Sequence, residues 1–150
     1  MNFRLTGVKK TMTAWSSESP LPYAGEVTPH EAYRLFSTHR AKIIDVRSRL
    51  EYQYVGRIAG TVLIPWQLSI GGAINSNFLP ELRAQCSAED VVLFLCRSGI
   101  RSHSAAIAAA AAGFTNAFNI TEGFEGDLDL HGQRGTSGGW RRAGLPWIQD

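Results

Sequence analysis

The chain has 150 residues, a length that fits one domain with a sizeable core. Its hydrophobic share of 44% is ordinary for a globular protein and argues against disorder over the whole length. Fifteen Lys and Arg against thirteen Asp and Glu give a formal net charge of +2, without a basic stripe. We therefore expect a slightly basic, solvated surface and no nucleic-acid binding.

The cysteine count and the apolar runs bear on location. Cys86 and Cys96 are too few for a disulfide framework. Lys9 and Lys10 are followed by a polar stretch, residues 11–20, and not by the apolar region of a signal peptide. The longest apolar run, residues 105–112, is far too short to span a bilayer. We therefore expect a cytoplasmic protein with reduced thiols and no membrane partner.

Residues 1–25 lack hydrophobic periodicity and contain several Ser and Pro residues, so we predict a loosely ordered arm followed by a domain over residues 26–150. The first helix is predicted after Thr28, where Pro29 suits the first helical position and Glu31 completes a capping box. A short buried strand follows at residues 42–46. A second capping box, formed by Ser48 and Glu51, then starts a helical turn.

Strands and helices continue to alternate through the rest of the chain. The predicted elements, in order, are a strand over 60–66, a helix over 77–85, a strand over 91–95, a helix over 102–112 and a strand within 114–120. This alternation predicts an α/β domain with a mainly parallel sheet. The long glycine-rich stretch 123–139 that follows is either disordered or functional, for instance as a lid.

The most informative segment is the loop from Cys96 to Arg101, which joins a predicted strand to a predicted helix. Ligands in open α/β sheets bind beyond the carboxyl ends of the strands, and a helix N-terminus offers unpaired N–H groups and a positive dipole end. Gly99 allows these N–H groups to converge on an anion, and Arg97 adds a further positive charge beside Arg101. These features favour a thiolate on Cys96 and predict a nucleophile, but they do not choose between sulfur and phosphorus chemistry.

The loop and several other motifs together resemble the rhodanese-type sulfurtransferases. The matching residues are Cys96-Arg97-Ser98-Gly99-Ile100-Arg101-Ser102; Asp45-Val46-Arg47, Glu51-Tyr52, Gly56-Arg57-Ile58, Gly60-Thr61 and Ile64-Pro65-Trp66; Glu122-Gly123-Phe124; and Gly139-Trp140 with Gly144-Leu145-Pro146-Trp147. They occur in the family's order and cover most of residues 26–147. A lone cysteine–arginine loop would be weak evidence, whereas this ordered set is specific.

The resemblance implies a rhodanese-like fold, a five-stranded parallel sheet with helices on both faces. It implies that Cys96 takes a sulfane sulfur from a small anionic donor such as thiosulfate, holds it as a persulfide, and passes it to cyanide or a thiol. By the same resemblance, the substrate-binding residues are Arg97, Ser98, Gly99, Ile100 and Arg101. No metal or organic cofactor is implied, and a protein partner in a sulfur relay fits the family.

The chain departs from the family's thiosulfate users at two positions. They have a lysine where Ser98 stands and a further arginine near the position of Glu51. We expect Arg101 to compensate as the anchor for a sulfonate group, and thiosulfate to be a laboratory donor more than the natural one. Asp45 and Arg47 are interpreted as structural, with Arg47 ion-paired nearby.

Two other functions compete with sulfur transfer. Cysteine-dependent phosphatases and arsenate reductases place arginine at the seventh position of the loop, whereas here Arg101 is sixth and Ser102 seventh, so loop length disfavours them. A non-catalytic binding module that keeps the fold is the other alternative.

Four further residues have an open role. Cys86 is either a resolving thiol or a partly buried helix-end residue, and we favour the latter. His103 is a weak candidate for a base and is expected on the outer helix face. Arg134 belongs either to a lid over the loop or to an exposed turn, and His131 shows no metal-ligand spacing with the other histidines.

Overall fold

The structure, a computed structural model, describes residues 20–150 and contains one five-stranded sheet. The strands are β1 (Gly25–Val27), β2 (Lys42–Asp45), β3 (Val62–Leu63), β4 (Val92–Leu95) and β5 (Ala117–Ile120). Their spatial order is β1-β5-β4-β2-β3, and every neighbouring pair is parallel. The predicted α/β class with a parallel sheet is therefore confirmed.

Helices cover both faces of this sheet. They are α1 (Pro29–Ser37), α2 (Phe78–Gln85) and α3 (Ile100–Ala111), with a single π-helical turn at Glu51–Val55. On one face, Leu35 of α1 packs in the cluster that contains Leu93 and Phe118. On the other face, Leu82 of α2 and Ala106 of α3 pack in the cluster that contains Phe94. The part of the chain that the structure describes has no helix long and apolar enough to cross a membrane.

Both predicted capping boxes are present. The Thr28 N–H donates to the Glu31 carboxylate at 2.8 Å, and the Glu31 N–H donates back to the Thr28 hydroxyl at 3.2 Å. Ser48 and Glu51 make the same reciprocal contacts, at 3.0 Å and 3.3 Å. Each box satisfies backbone donors that have no partner inside the helix, and so fixes where the helix begins.

Ordered packing begins before residue 26, the predicted start of the domain. Strand β1 begins at Gly25, the Ala24 N–H donates to the Ala117 carbonyl at 2.9 Å, and the Tyr23 side chain is 6% exposed. The end of the expected arm therefore belongs to the sheet, because β1 pairs with β5, a strand far away in sequence that no local pattern reveals. The rest of that arm, residues 1–19, lies outside the described residues.

The fold brings the carboxyl ends of β2 and β4 together at one edge of the sheet. Strand β4 is central, and all four of its residues are buried. Because the strands are parallel, the end of β2 at Asp45 and the end of β4 at Leu95 lie side by side, as their register shows. Cys96 follows β4 directly and so emerges at this edge, where ligands of such sheets bind.

Candidate active site

Cys96 lies at the bottom of a small open cavity at the carboxyl edge of the sheet. Its side chain is 1% exposed, and the cavity has a volume of about 190 Å³. Around Cys96 the cavity is lined by Gln67, Ile70, Gly71, Arg97, Ser98, Ile100 and Arg101. The structure therefore brings four of the residues predicted to bind substrate, Arg97, Ser98, Ile100 and Arg101, together with a second loop, residues 67–74. The sequence analysis had given this second loop no role.

In the described part of the chain, two groups lie within hydrogen-bond distance of the Cys96 sulfur. The Gly99 N–H donates to Sγ at 3.1 Å, and the Ser102 hydroxyl lies 3.2 Å from Sγ. Gly99 can turn its N–H inward because its φ of 109° lies in the region that favours glycine. Helix α3 begins at Ile100, two residues before the predicted start, so Ser102 is in its first turn. The positive end of the helix dipole is thus directed at the sulfur.

Ser102 is a candidate functional residue that the sequence reasoning did not select. It is fully buried, although serine is mostly an exposed residue type. The available signal was its place in the motif, six residues after Cys96 and on the helix that the loop begins. A polar side chain in the first turn of that helix is within reach of the atom the loop surrounds.

Arg101 is held by Glu51 in a bidentate ion pair. Its Nη1 and Nη2 donate to the two carboxylate oxygens at 2.7 and 2.8 Å, and the side chains are 14% and 5% exposed. Burial alone would raise the pKa of Glu51, but hydrogen bonds from Arg101 and Ser48 lower it to about 2. The bond to Glu51 raises the pKa of Arg101, and the nearby Cys96 sulfur contributes in the same direction.

Arg97 also lines the cavity, and it forms no ion pair within residues 20–150. Its Nε is buried and makes no hydrogen bond to any residue between 20 and 150. Buried N–H donors are usually paired, so Arg97 keeps one donor without a partner in this part of the chain.

The loop is supported from behind by the start of the glycine-rich stretch. The Phe124 N–H donates to the Cys96 carbonyl at 2.8 Å, and the Glu125 N–H donates to the Arg97 carbonyl at 2.9 Å. A Cβ at Gly123, whose φ is 66°, would lie 2.5 Å from the Arg97 carbonyl oxygen. Glycine is required there because the two backbones approach each other so closely.

Asn119 of β5 holds the loop on its far side. Its Nδ2 donates to the Gly99 carbonyl at 3.2 Å. In a planar trans peptide the carbonyl and the following N–H point in opposite directions. Fixing the Gly99 carbonyl therefore fixes the direction of the Ile100 N–H.

The remaining candidates lie elsewhere. The His103 Nδ1 is 2.7 Å from the Tyr23 hydroxyl, so the structure gives His103 a different neighbour from Cys96. Cys86 is buried, and burial raises the pKa of its thiol. The Arg134 Nη1 donates to the Gly126 carbonyl at 2.8 Å, within its own segment. None of these three lines the Cys96 cavity.

Asp45 and Arg47 form the ion pair that was expected of them. Arg47 Nη2 lies 2.7 Å from the carboxylate, and both side chains are completely buried. Within residues 20–150, no group of three or more His, Cys, Asp or Glu side chains is placed to hold a metal ion.

Comparisons with known proteins agree with this geometry. The model of the rhodanese-like domain matches residues 28–128. An uncharacterized protein of Rickettsia conorii is 35% identical over 118 residues, which cover 75% of this chain and 87% of that protein. The thiosulfate sulfurtransferase GlpE of Actinobacillus succinogenes is 30% identical over 121 residues, covering 81% and 87% of the two chains.

Among solved structures, the crystal structure of Rv0390 from M. tuberculosis is 44% identical to this chain. It aligns with a TM-score of 0.77 and covers 85% of this chain and 99% of the other. The residues matched by the family model, 28–128, include β2, β4, β5 and the loop from Cys96 to Arg101. The chain therefore belongs to the rhodanese-like domain family.

Proposed function

We propose that the chain is an enzyme, a sulfurtransferase of the rhodanese type and the thiosulfate sulfurtransferase class. It moves a sulfane sulfur from a donor such as thiosulfate to a thiophilic acceptor, cyanide or a thiol, through a persulfide on Cys96. The observation that carries the proposal is the contact of the Gly99 N–H with Cys96 Sγ, at 3.1 Å, at the N-terminus of α3. A relative that covers most of the chain is named a thiosulfate sulfurtransferase.

The reaction has two displacement steps, which replace one difficult transfer by two easier ones. In the first, the Cys96 thiolate attacks the outer sulfur of thiosulfate, a new S–S bond forms on Cys96, and the old S–S bond breaks with its electron pair leaving on sulfite. In the second, cyanide attacks the outer sulfur of the persulfide, thiocyanate leaves, and the thiolate is restored. The electrons balance without an external oxidant or reductant.

The loop residues have complementary roles in this proposal. The backbone N–H groups of Ser98, Gly99 and Ile100 hold the negative charge of the persulfide, as donors fixed in place hold an oxyanion. Arg97 attracts the anionic donor, and Arg101, which is paired with Glu51, forms part of the cavity wall beside it. No cofactor is needed. We further propose that the protein acts in the cytoplasm and that a thiol on a partner protein can be the acceptor in a relay.

A phosphatase is the main competitor, since both chemistries use a cysteine in an anion-binding loop. The distance in sequence from Cys96 to Arg101 is one residue too short for that class, and Ser102 stands at the arginine position. A binding module without catalysis would leave the buried sulfur and its N–H contact without a use.

The test combines turnover with a mass measurement. Wild type is expected to form thiocyanate from thiosulfate and cyanide, and to gain the mass of one sulfur after donor alone. Cys96→Ser should lose both the adduct and essentially all turnover, because the nucleophile is gone. Cys86→Ser is the matched control and should keep both, since Cys86 is buried and does not line the cavity.

A phosphatase assay on the same samples completes the test. Folded wild-type protein that forms no adduct with several sulfur donors would contradict the proposal. Phosphate release that depends on Cys96 would then support the phosphatase, and inactivity in both assays would support the binding module.

A further inference from the structure

The charge of the Cys96 cavity is lower than its two arginines suggest. Arg97 and Arg101 both line it, but both terminal nitrogens of Arg101 donate to Glu51 at 2.7 and 2.8 Å. Because this carboxylate stays ionised, with a pKa of about 2, it cancels the charge of Arg101 at neutral pH. Among residues 20–150, the cavity therefore presents one side-chain cation without an ion-pair partner, that of Arg97.

The ion pair is held firmly. Glu51 Oε1 also accepts hydrogen bonds from the Ser48 N–H and hydroxyl, each at 3.0 Å, and the Glu51 side chain is 5% exposed. If Arg101 turned away toward a donor, it would leave a buried carboxylate with one partner fewer. Breaking a buried pair in this way is costly. Arg101 is therefore poorly suited to act as the sulfonate anchor that the sequence predicted.

The mouth of the same cavity is apolar. Ile70 and Ile100 both line it, and these side chains are 57% and 74% exposed. Leu68, on the same loop as Ile70, is 66% exposed. Two exposed isoleucines at a cavity entrance offer contact to carbon atoms, which inorganic thiosulfate does not have.

We propose that Glu51 is a positioning residue that, through Arg101, determines which donor charge the cavity accepts. We further propose that the donor is an organic sulfane sulfur compound with one negative charge at its reacting end. Such donors are persulfides of thiols and thiosulfonates, with the carbon group against Ile70 and Ile100. The inference rests on the proposed function and narrows its substrate class.

The physical reason is the cost of taking a charge out of water without a counter-ion. Because Glu51 cancels the charge of Arg101, Arg97 can neutralise a monoanion, whereas a dianion would bring a second, unpaired charge into the cavity. Methanethiosulfonate and thiosulfate share the S–SO₂ core and differ in one group, a methyl in place of a charged oxygen. With methanethiosulfonate the Cys96 thiolate forms the same persulfide, and the electron pair of the broken S–S bond leaves on methanesulfinate.

The experiment measures kcat/KM for both donors with cyanide as acceptor. In Glu51→Gln, which keeps the side-chain shape and the acceptor for Ser48, the ratio of thiosulfate to methanethiosulfonate is expected to rise about tenfold, equivalent to about 1.4 kcal/mol. The gain should appear in KM, because it concerns binding of the donor. Asp90→Asn is the control: it removes the same unit of charge from an ion pair with Lys42 and should leave the ratio unchanged.

An unchanged ratio in folded Glu51→Gln would overturn the inference while leaving sulfur transfer intact. Absence of any Cys96 adduct with both donors would overturn the proposed function instead. If Glu51→Gln lowered kcat/KM for both donors equally, the role of Glu51 would be purely structural, and the inference about donor charge would be overturned.

Wild type provides a second measurement that needs no variant. Methanesulfonate, a monoanion, should inhibit more strongly than the dianion sulfate in competition with donor, and the reverse order would overturn the inference. The apolar mouth is tested with butanethiosulfonate. Its kcat/KM should exceed that of methanethiosulfonate in wild type, and Ile70→Ser should reduce this advantage severalfold. If wild type showed no such advantage, the proposed contact of the donor's carbon group with Ile70 and Ile100 would be wrong.

Discussion

Two ion pairs involve carboxylates near the end of β2, Asp45 in its last position and Glu51 six residues later, and the surroundings of the two pairs differ. The Asp45–Arg47 pair is completely buried, whereas Glu51–Arg101 reaches the wall of the Cys96 cavity and keeps a small exposure. Arg47 Nη2 also donates to the Gly56 carbonyl at 2.7 Å, and its guanidinium lies 4.4 Å from the centre of the Phe124 ring. The first pair thus fastens the end of β2 to two later segments.

An Arg–carboxylate ion pair thus has a different role when it is enclosed by protein than when it lies beside a cavity. The Asp45–Arg47 pair contacts only protein, so its contribution is to stability and to the position of the chain. Arg101 of the second pair lines the cavity of the proposed donor site, so the charge balance of that pair also bears on the proposed choice of anion.

The largest effect is expected from breaking the completely buried pair. Arg47→Met should lower the free energy of unfolding by about 3–5 kcal/mol, since it leaves the Asp45 carboxylate buried without its partner. Chemical denaturation followed by circular dichroism measures this loss. The double variant Asp45→Leu with Arg47→Met should be less destabilised than Arg47→Met, and an equal or larger loss would contradict the uncompensated-charge explanation.

A smaller and pH-dependent effect is expected at the pair beside the cavity. The pKa of Glu51 is lowered from 4.5 to about 2, so its ionised form stabilises the fold by about 3 kcal/mol at neutral pH. This stabilisation is complete above about pH 4.5 and is lost as the pH falls toward 2. The stability difference between wild type and Glu51→Gln should shrink over that interval in urea titrations.

A stability difference for Glu51→Gln that stayed constant from neutral pH down to pH 2 would show that the ionisation of Glu51 is not its source. A loss of stability shared equally by wild type and Glu51→Gln over that range would be a general acid effect on the fold and not one of the Glu51 carboxylate.

The smallest effect is expected at an exposed pair. Lys42 Nζ lies 3.0 Å from the Asp90 carboxylate, and the side chains are 52% and 32% exposed. Asp90→Asn should cost less than about 1 kcal/mol because solvent and salt screen such pairs. Thermal unfolding at low and high salt checks this, and a loss comparable to that of Arg47→Met would break the ranking by burial.

Much of the fold was predictable because its signals are local. The two capping boxes fixed the start of α1 and the turn after Ser48, and the apolar run before Cys96 marked β4. Strand β1 was not predicted, since its three residues form a strand only by pairing with β5, some ninety residues later. The start of α3 was placed late because the conformation of Gly99, which lets the helix begin at Ile100, leaves no periodic signal.

In the candidate site, the loop around Cys96 could be read from its residue types and order. The pairing of Glu51 with Arg101 could not, because a contact across fifty residues depends on how the sheet places its loops. Ser102 was missed for a related reason, as its contact with Sγ follows from the true start of α3. The nucleophile and its loop could thus be predicted from local sequence, whereas the charge balance of the cavity depends on tertiary structure.

The close approach at Gly123 has a consequence for protein engineering. No side chain fits between this residue and the Arg97 carbonyl, so a library that varies position 123 would yield mostly inactive clones although glycine offers no side chain to a substrate. Gly71, by contrast, lines the cavity and has nothing within 4 Å of a Cβ built on it. Selection for new donors would therefore be directed most productively at residues 67–74, with asparagine as the first choice at position 71 because its backbone tolerates a positive φ.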